Sequence, residues 1–170
     1  MFKLISKTIA AVAIVSVALF GSANAKTLKI ETHFTASSPN GEVAAQFAKN
    51  VEKFSGGSLK VQMFYSSSVT GKSAEVFNSA QTGIIDCDMT GAGYQTGKNA
   101  AFQFAGDVMG GYDNPYQQYE FLNFPGAQEA VDALYNKYGM TLIGWWIPGH
   151  ESLISSRPIP DDASLKDGKL

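Results

Sequence analysis

The chain has 170 residues, 45% of them hydrophobic, and its 13 Lys and Arg against 15 Asp and Glu give a formal charge of −2. That mild acidity excludes the electrostatic footprint of a nucleic-acid or anionic-membrane binder, and a small molecule is the partner it leaves open. Cys87 is the sole cysteine, so the fold has no internal disulfide and must be held by its core.

The first 25 residues have the parts of a secretory signal: Lys3 and Lys7, an apolar run from Ile9 to Phe20, then Ala23-Asn24-Ala25. Cleavage is expected before Lys26, which takes the formal charge from −2 to −4. The apolar run is too short for a comfortable membrane span, and no later stretch is apolar enough to make one. The mature protein is therefore expected to be exported, with about 145 residues available for one ordinary domain.

Residues 27–34 alternate Leu28, Ile30 and Thr32 with Lys29 and Glu31, a strand pattern. A helix is expected from Pro39-Asn40 to Gly56-Gly57, with Val43, Phe47, Val51 and Phe54 on its apolar side. Residues 59–65 read as the next strand. A second helix opens at Gly71 or Ser73, carries Ala74, Phe77 and Ala80 as a narrow stripe and stops at Gly83. Residues 84–90 read as a third strand, and Cys87 within it as a buried, inert thiol. The order β-α-β-α-β with short connections predicts an α/β fold, a mostly parallel sheet flanked by helices.

Residues 101–112 have poor periodicity and read as irregular. Two helices follow, 116–124 and 126–138, separated at Pro125, the second with Ala130, Leu134 and Tyr138 on one side. The stretch 141–159, TLIGWWIPGHESLISSRPI, then reads as two extended segments interrupted at Pro148-Gly149. His150 and Glu151 stand there beside two tryptophans, as they would in a ligand site or hinge, or in a turn at a sheet edge. Adjacent strand residues face opposite ways, so only one of Trp145 and Trp146 should meet a ligand.

Residues 66–73, SSSVTGKS, end like a phosphate-binding loop, but Ser66 replaces the first glycine, and Lys72 reads as a solvated helix-start residue. Gly91-Ala92-Gly93 is a partial dinucleotide fingerprint with Thr96 where the third glycine belongs. Its position counts for more: ligands of open parallel sheets sit beyond the carboxyl ends of strands, so the loop carrying Tyr94 is well placed to line a pocket, unless Tyr94 packs under it. His33, at the end of the first strand, is a second candidate. There is no HExxH, no zinc spacing and no GxSxG elbow. Asp86 and Asp88 share a strand face and could form an acid/base couple, though helix capping or solvent exposure accounts for them as well.

With this element order, the segments FAKNVEKFSGGSLKVQMF, GKSAEVFNSAQTGIIDCDMT, YQTGKNAA and GWWIPGHESLISSRPI followed by SLKDGKL resemble the DctP-like solute receptors of tripartite ATP-independent periplasmic (TRAP) transporters. The resemblance implies a two-lobed periplasmic-binding-protein fold without catalysis or cofactor. Such receptors close on a small organic acid and hand it to a sodium-coupled membrane permease. It divides the chain into a signal at 1–25, a first lobe at 26–140 and crossover strands into the second lobe at 141–170. The family's G-x-R or G-x-Q element falls on Gly149-His150-Glu151, so Glu151 matches the ligand-contact position, and a carboxylate there repels an anion unless a cation, or a hydroxyl or amine of the ligand, intervenes. The family's carboxylate-binding arginine would come just after Leu170, so the sequence is expected to be the front part of a receptor, and Arg157 reads as structural. The implied ligand-binding set is Glu151, Tyr94, His33 and one of Trp146 and Trp145. An exported hydrolase using Asp86 and His33, or a periplasmic sensor input module, is the alternative.

Overall fold

The computed structural model describes residues 25–106, 108, 111–147, 154–161 and 164. Three strands, β1 (Lys26–Thr32), β2 (Leu59–Phe64) and β3 (Cys87–Met89), make one sheet in the order β2-β1-β3, with both pairings parallel. In register, Leu28 stands opposite Val61, Ile30 opposite Met63 and Cys87, and Glu31 opposite Phe64 and Asp88. The expected α/β class with a parallel sheet is what forms.

Helix α1 (Pro39–Phe54) joins β1 to β2. Ser38 caps it, its hydroxyl oxygen accepting the Gly41 N–H at 3.0 Å, and Pro39 follows where no N–H is needed. Past its end Gly56 and Gly57 both take positive φ, 60° and 81°, a turn that side-chain-bearing residues resist. Glu52 ties the helix to the sheet by accepting the Val61 N–H at 2.9 Å. The apolar stripe differs from the expected one. Gly41 and Ala44 are buried, whereas Val43 and Phe54 are 56% and 79% exposed. A Cβ on Gly41 would strike the Thr35 carbonyl, so the helix approaches the chain through its small residues, with Phe47 and Val51 only half-buried and Val43 and Phe54 turned outward.

The β2–β3 crossover begins with a 3₁₀ turn (Ser73–Glu75) and continues as α2 (Val76–Gln81). The tighter 3₁₀ winding shifts the phase, so Val76 and Phe77 are buried and Ala74 is exposed. β3 is shorter than expected because the Ile84 and Ile85 N–H groups both donate to the Ser79 carbonyl at the end of the crossover rather than to β1. Asp86 N–H, donating to Lys29 O at 2.8 Å, is the first to reach the sheet.

Two 3₁₀ segments follow β3, Ala92–Gln95 and Ala100–Phe104, the second within the stretch expected to be irregular. Helices α3 (Pro115–Asn123) and α4 (Pro125–Asn136) meet at Phe124, whose ψ of 133° is the extended backbone that a following proline imposes. On α4 the buried residues are Val131 and Leu134 rather than Ala130 and Leu134. With Phe77, Ala92, Phe102 and Ala105 they make one core cluster, joined by Tyr135, Tyr138, Leu142 and Trp145. Phe102 is wholly buried and sits edge-on to Phe77 at 5.8 Å and to Tyr135 at 5.2 Å, the quadrupole-favoured arrangement.

No strand forms over residues 141–147 or 154–161. The apolar pattern there is satisfied instead by packing: Leu142 and Trp145 reach the core cluster, and Ile143 is left exposed. A strand needs a neighbour for its backbone groups as well as a buried face, and no described residue pairs with this stretch. Among the described residues no helix is long and apolar enough to cross a membrane.

Candidate ligand-binding site

The chain runs from β1 to β2 on one side and then crosses from β2 past β1 to β3 on the other, so the carboxyl ends of β1 and β3 flank the point where the strand order reverses. His33 and Phe34 follow β1 directly. Their position is fixed by the loop after β2, where Ser67 N–H donates to Thr32 O at 3.1 Å and Ser66 N–H to Phe34 O at 3.0 Å. Tyr94 comes from the 3₁₀ segment after β3.

These side chains meet. The His33 ring lies 3.9 Å from Phe34 and edge-on to Tyr94 at 5.4 Å, and Phe34 stacks on Trp146 at 5.1 Å and 17°. Tyr94 is 46% exposed, and His33, Phe34 and Trp146 are half-buried. Burial lowers the His33 pKa below its ordinary value, so the imidazole is neutral at neutral pH, and its buried Nδ1 has no hydrogen-bond partner among the described residues.

The two tryptophans part company. Trp146 joins this ring cluster, while Trp145 packs against the core with its Nε1 buried and unpartnered among the described residues. Glu151 and its neighbour His150 lie outside the described residues. Phe34 was not singled out by sequence pattern; its one signal is an aromatic side chain beside His33 at a strand end.

The phosphate-loop resemblance of residues 66–73 has a different occupant. Ser66 and Ser67 both take positive φ, 56° and 50°, and the loop turns its Val69 and Thr70 N–H groups onto Glu31 Oε1, at 2.6 and 3.4 Å. Backbone donors that could cradle a phosphate are satisfied by the chain's own buried carboxylate. Lys72 stays exposed, as expected.

Asp86 and Asp88 do not act as a couple. Asp86 is exposed and accepts the Lys29 N–H at 2.8 Å. Asp88 is half-buried and accepts the Thr90 hydroxyl at 2.6 Å; desolvation, with the Glu31 charge adding, pushes its pKa up to about 6. Nor can Asp86 serve His33. It lies beside Lys29, four residues before His33, a separation of about 13 Å along a strand. Cys87 is half-buried rather than buried, and burial together with Asp86 and Asp88 pushes its thiol up, away from the nucleophilic thiolate. Among the described residues no three His, Cys, Asp or Glu gather to hold a metal. Arg157 donates to the Ser164 carbonyl at 2.7 Å, a local structural bond.

Residues 30–170 match the family model DctP, described as bacterial extracellular solute-binding protein, family 7. The chain belongs to this family. Its members are described as binding proteins and not as enzymes. Solved structures agree on the fold. A TRAP periplasmic solute-binding protein from Rhodobacter sphaeroides, in an apo open state, is 25% identical with a TM-score of 0.64, over 69% of this chain and 37% of that one. A TRAP solute-binding protein from Bordetella bronchiseptica, with calcium and picolinate, is 21% identical with a TM-score of 0.61, over 67% of this chain and 34% of that one. One from Pseudoalteromonas atlantica, with sodium and pyruvate, is 20% identical with a TM-score of 0.62, over 68% and 35%. The chain thus spans roughly a third of the length of these DctP-family structures. Among curated proteins nothing matches.

Proposed function

We propose that this chain is the ligand-facing first lobe, 26–140, and the start of the second lobe, 141–170, of an exported TRAP solute receptor. The receptor closes on a small organic acid and delivers it to a sodium-coupled TRAP permease. The observation that carries the reading is the cluster of His33, Phe34, Tyr94 and Trp146 at the strand-order reversal of a DctP-family chain. That is where an open parallel sheet receives its ligand. The ligands named for two similar structures, picolinate and pyruvate, are both small carboxylates, which supports the ligand class. Lys3, Lys7 and the apolar run to Phe20 support export through a signal cleaved after Ala25.

In this reading the first lobe supplies rings and a neutral imidazole, and the second lobe supplies the cation that the acid requires. Glu151 sits at the hinge-side contact and accepts a hydrogen bond from a ligand hydroxyl or amine. Trp145, packed against the core cluster, has a structural part, and Trp146 is the tryptophan that meets the ligand. The exported-hydrolase alternative loses its pair, because Asp86 and His33 are too far apart to cooperate.

The test is a thermal-shift screen of the full-length protein against small carboxylates and sulfonates. A ligand at 100 times its dissociation constant stabilises the folded state by about 2.7 kcal/mol, which reads as a shift of several degrees. A selective, unconsumed ligand whose shift disappears in His33→Ala supports the receptor. Conversion of the compound, or silence across the panel, defeats it.

A further inference from the structure

We infer that the solute is a flat aryl carboxylate, taken up against the ring surface of His33, Phe34, Tyr94 and Trp146, rather than a sugar acid or a short keto acid. The inference rests on the receptor reading and narrows it. Three ring contacts, at 3.9, 5.4 and 5.1 Å, join four aromatic side chains in one surface, and no ring in it is fully buried. The cation–π contacts among the described residues, Lys53 over Phe54 and Lys98 over Phe77, both lie on other rings. The polar handles of these four side chains are few: the His33 nitrogens, with Nδ1 buried and unpartnered, the Tyr94 hydroxyl and the Trp146 N–H.

A sugar acid carries several hydroxyls, and each one left unpaired on closure costs its desolvation. This ring surface offers them few handles, so the first lobe contributes little to binding such a ligand. A three-carbon keto acid has the opposite fault, since it covers too little of the apolar surface to use it. An aryl acid meets both conditions. Its face stacks on the rings, a gain beyond the area buried, and one polar substituent reaches the imidazole. The neutral state that burial imposes on His33 suits this, because a neutral ring donates or accepts one hydrogen bond without placing a charge against the ligand's apolar face.

Titration of the full-length protein, followed by tryptophan fluorescence and calorimetry, would compare benzoate, 4-hydroxybenzoate, phenylpyruvate, pyruvate and D-glucuronate. An aryl acid should bind at least roughly tenfold tighter than pyruvate or D-glucuronate. Phe34→Leu and Trp146→Leu should each weaken that aryl acid by roughly tenfold, while Phe34→Tyr and Trp146→Phe, which keep a ring, should retain most of its affinity. Unchanged circular dichroism in the leucine variants would separate lost stacking from lost fold. If pyruvate or D-glucuronate binds tightest and loses affinity in His33→Ala, the aryl class is overturned and the receptor reading stands. If none of the five binds while the wider screen finds a non-aryl acid, the aryl class is again overturned alone; silence in both defeats the two together.

Discussion

Glu31 on β1 stands opposite Asp88 on β3 in the parallel register; Glu31 is fully buried and Asp88 half-buried. One Glu31 oxygen takes the Val69 and Thr70 N–H groups; the other is buried with no hydrogen-bond partner among the described residues. Burial, and after it the Glu31 charge, raises the Asp88 pKa, and its hydrogen bonds with Thr90 lower it. Charge on Asp88 is also felt at Tyr135, whose pKa burial and Asp88 together push up to about 12. A proton on Asp88 therefore relieves an unfavourable charge placement in the sheet.

The pH dependence follows in sign and window. Asp88 ionises near its ordinary 3.8 when unfolded and at about 6 when folded, so the folded state holds the proton more tightly. The stability from that proton is fully present below about pH 4 and is lost as pH rises through 6. The difference is about 3 kcal/mol at 1.36 kcal/mol per pH unit. Asp88→Asn keeps an oxygen for the Thr90 hydroxyl and removes the titration. Urea midpoints measured from pH 4 to 7.5 should show the variant more stable than the parent above pH 6 and flatter across the window. Parallel curves for the two proteins would refute the assignment.

Replacing Glu31 separates its two tasks. Glu31→Ala strands the Val69 and Thr70 N–H groups and opens a cavity, and should cost upward of about 2 kcal/mol in chemical denaturation. Glu31→Gln keeps an acceptor for the loop and deletes the charge facing Asp88, so it should cost less. It should also lower the Asp88 midpoint only in part, because burial is the larger cause of the shift. A carboxyl-resolved NMR titration of Glu31→Gln would read that midpoint directly.

How much was legible in the sequence depends on how local the deciding contact is. The β-α-β-α-β order could be read because period-two alternation and paired glycines or prolines are local signals. Glu31 could not: in the alternation of 27–34 it reads as an outward polar residue like Lys29, and only the fold of residues 66–73 over it makes it a buried anchor. The strand expected over 141–147 failed for a related reason, since apolar pattern reports burial and not whether a neighbour is present to hydrogen-bond. On α1 the pattern found the helix but misjudged its buried side. Large apolar residues mark a face only where there is depth to hold them, and near Thr35 there is none. Of the site, the strand-end positions of His33 and Tyr94 were legible, and the pairing of Phe34 with Trp146, 112 residues apart in sequence, was not.

That reading of α1 makes Gly41 sensitive out of proportion to its size. Gly41→Ala normally favours a helix by about 1 kcal/mol. Here the added methyl meets a backbone carbonyl that cannot swing aside as a side chain would. Net destabilisation of about 1–3 kcal/mol is expected, with Ala44→Gly, at the other buried position, costing about 1 kcal/mol as an ordinary helix-interior change. Thermal unfolding of the two variants checks both; a Gly41→Ala protein as stable as the parent would mean that α1 can move off Thr35.

The core rings and the site rings should respond oppositely to truncation. Phe102 is wholly buried against Phe77, Tyr135 and Tyr138, so Phe102→Ala should cost about 3–5 kcal/mol. Tyr94, 46% exposed and touching His33 by its edge, has far less apolar area to lose, and Tyr94→Ala should cost about 1 kcal/mol or less. Denaturant midpoints measured without ligand give that contrast. Where the midpoint of Tyr94→Ala stays near that of the parent while acid binding weakens, the ring cluster at the end of β1 is maintained for recognition and not for folding. A Tyr94→Ala loss as large as that of Phe102→Ala would make the cluster an extension of the core, and the site would have to be sought elsewhere along the strand ends.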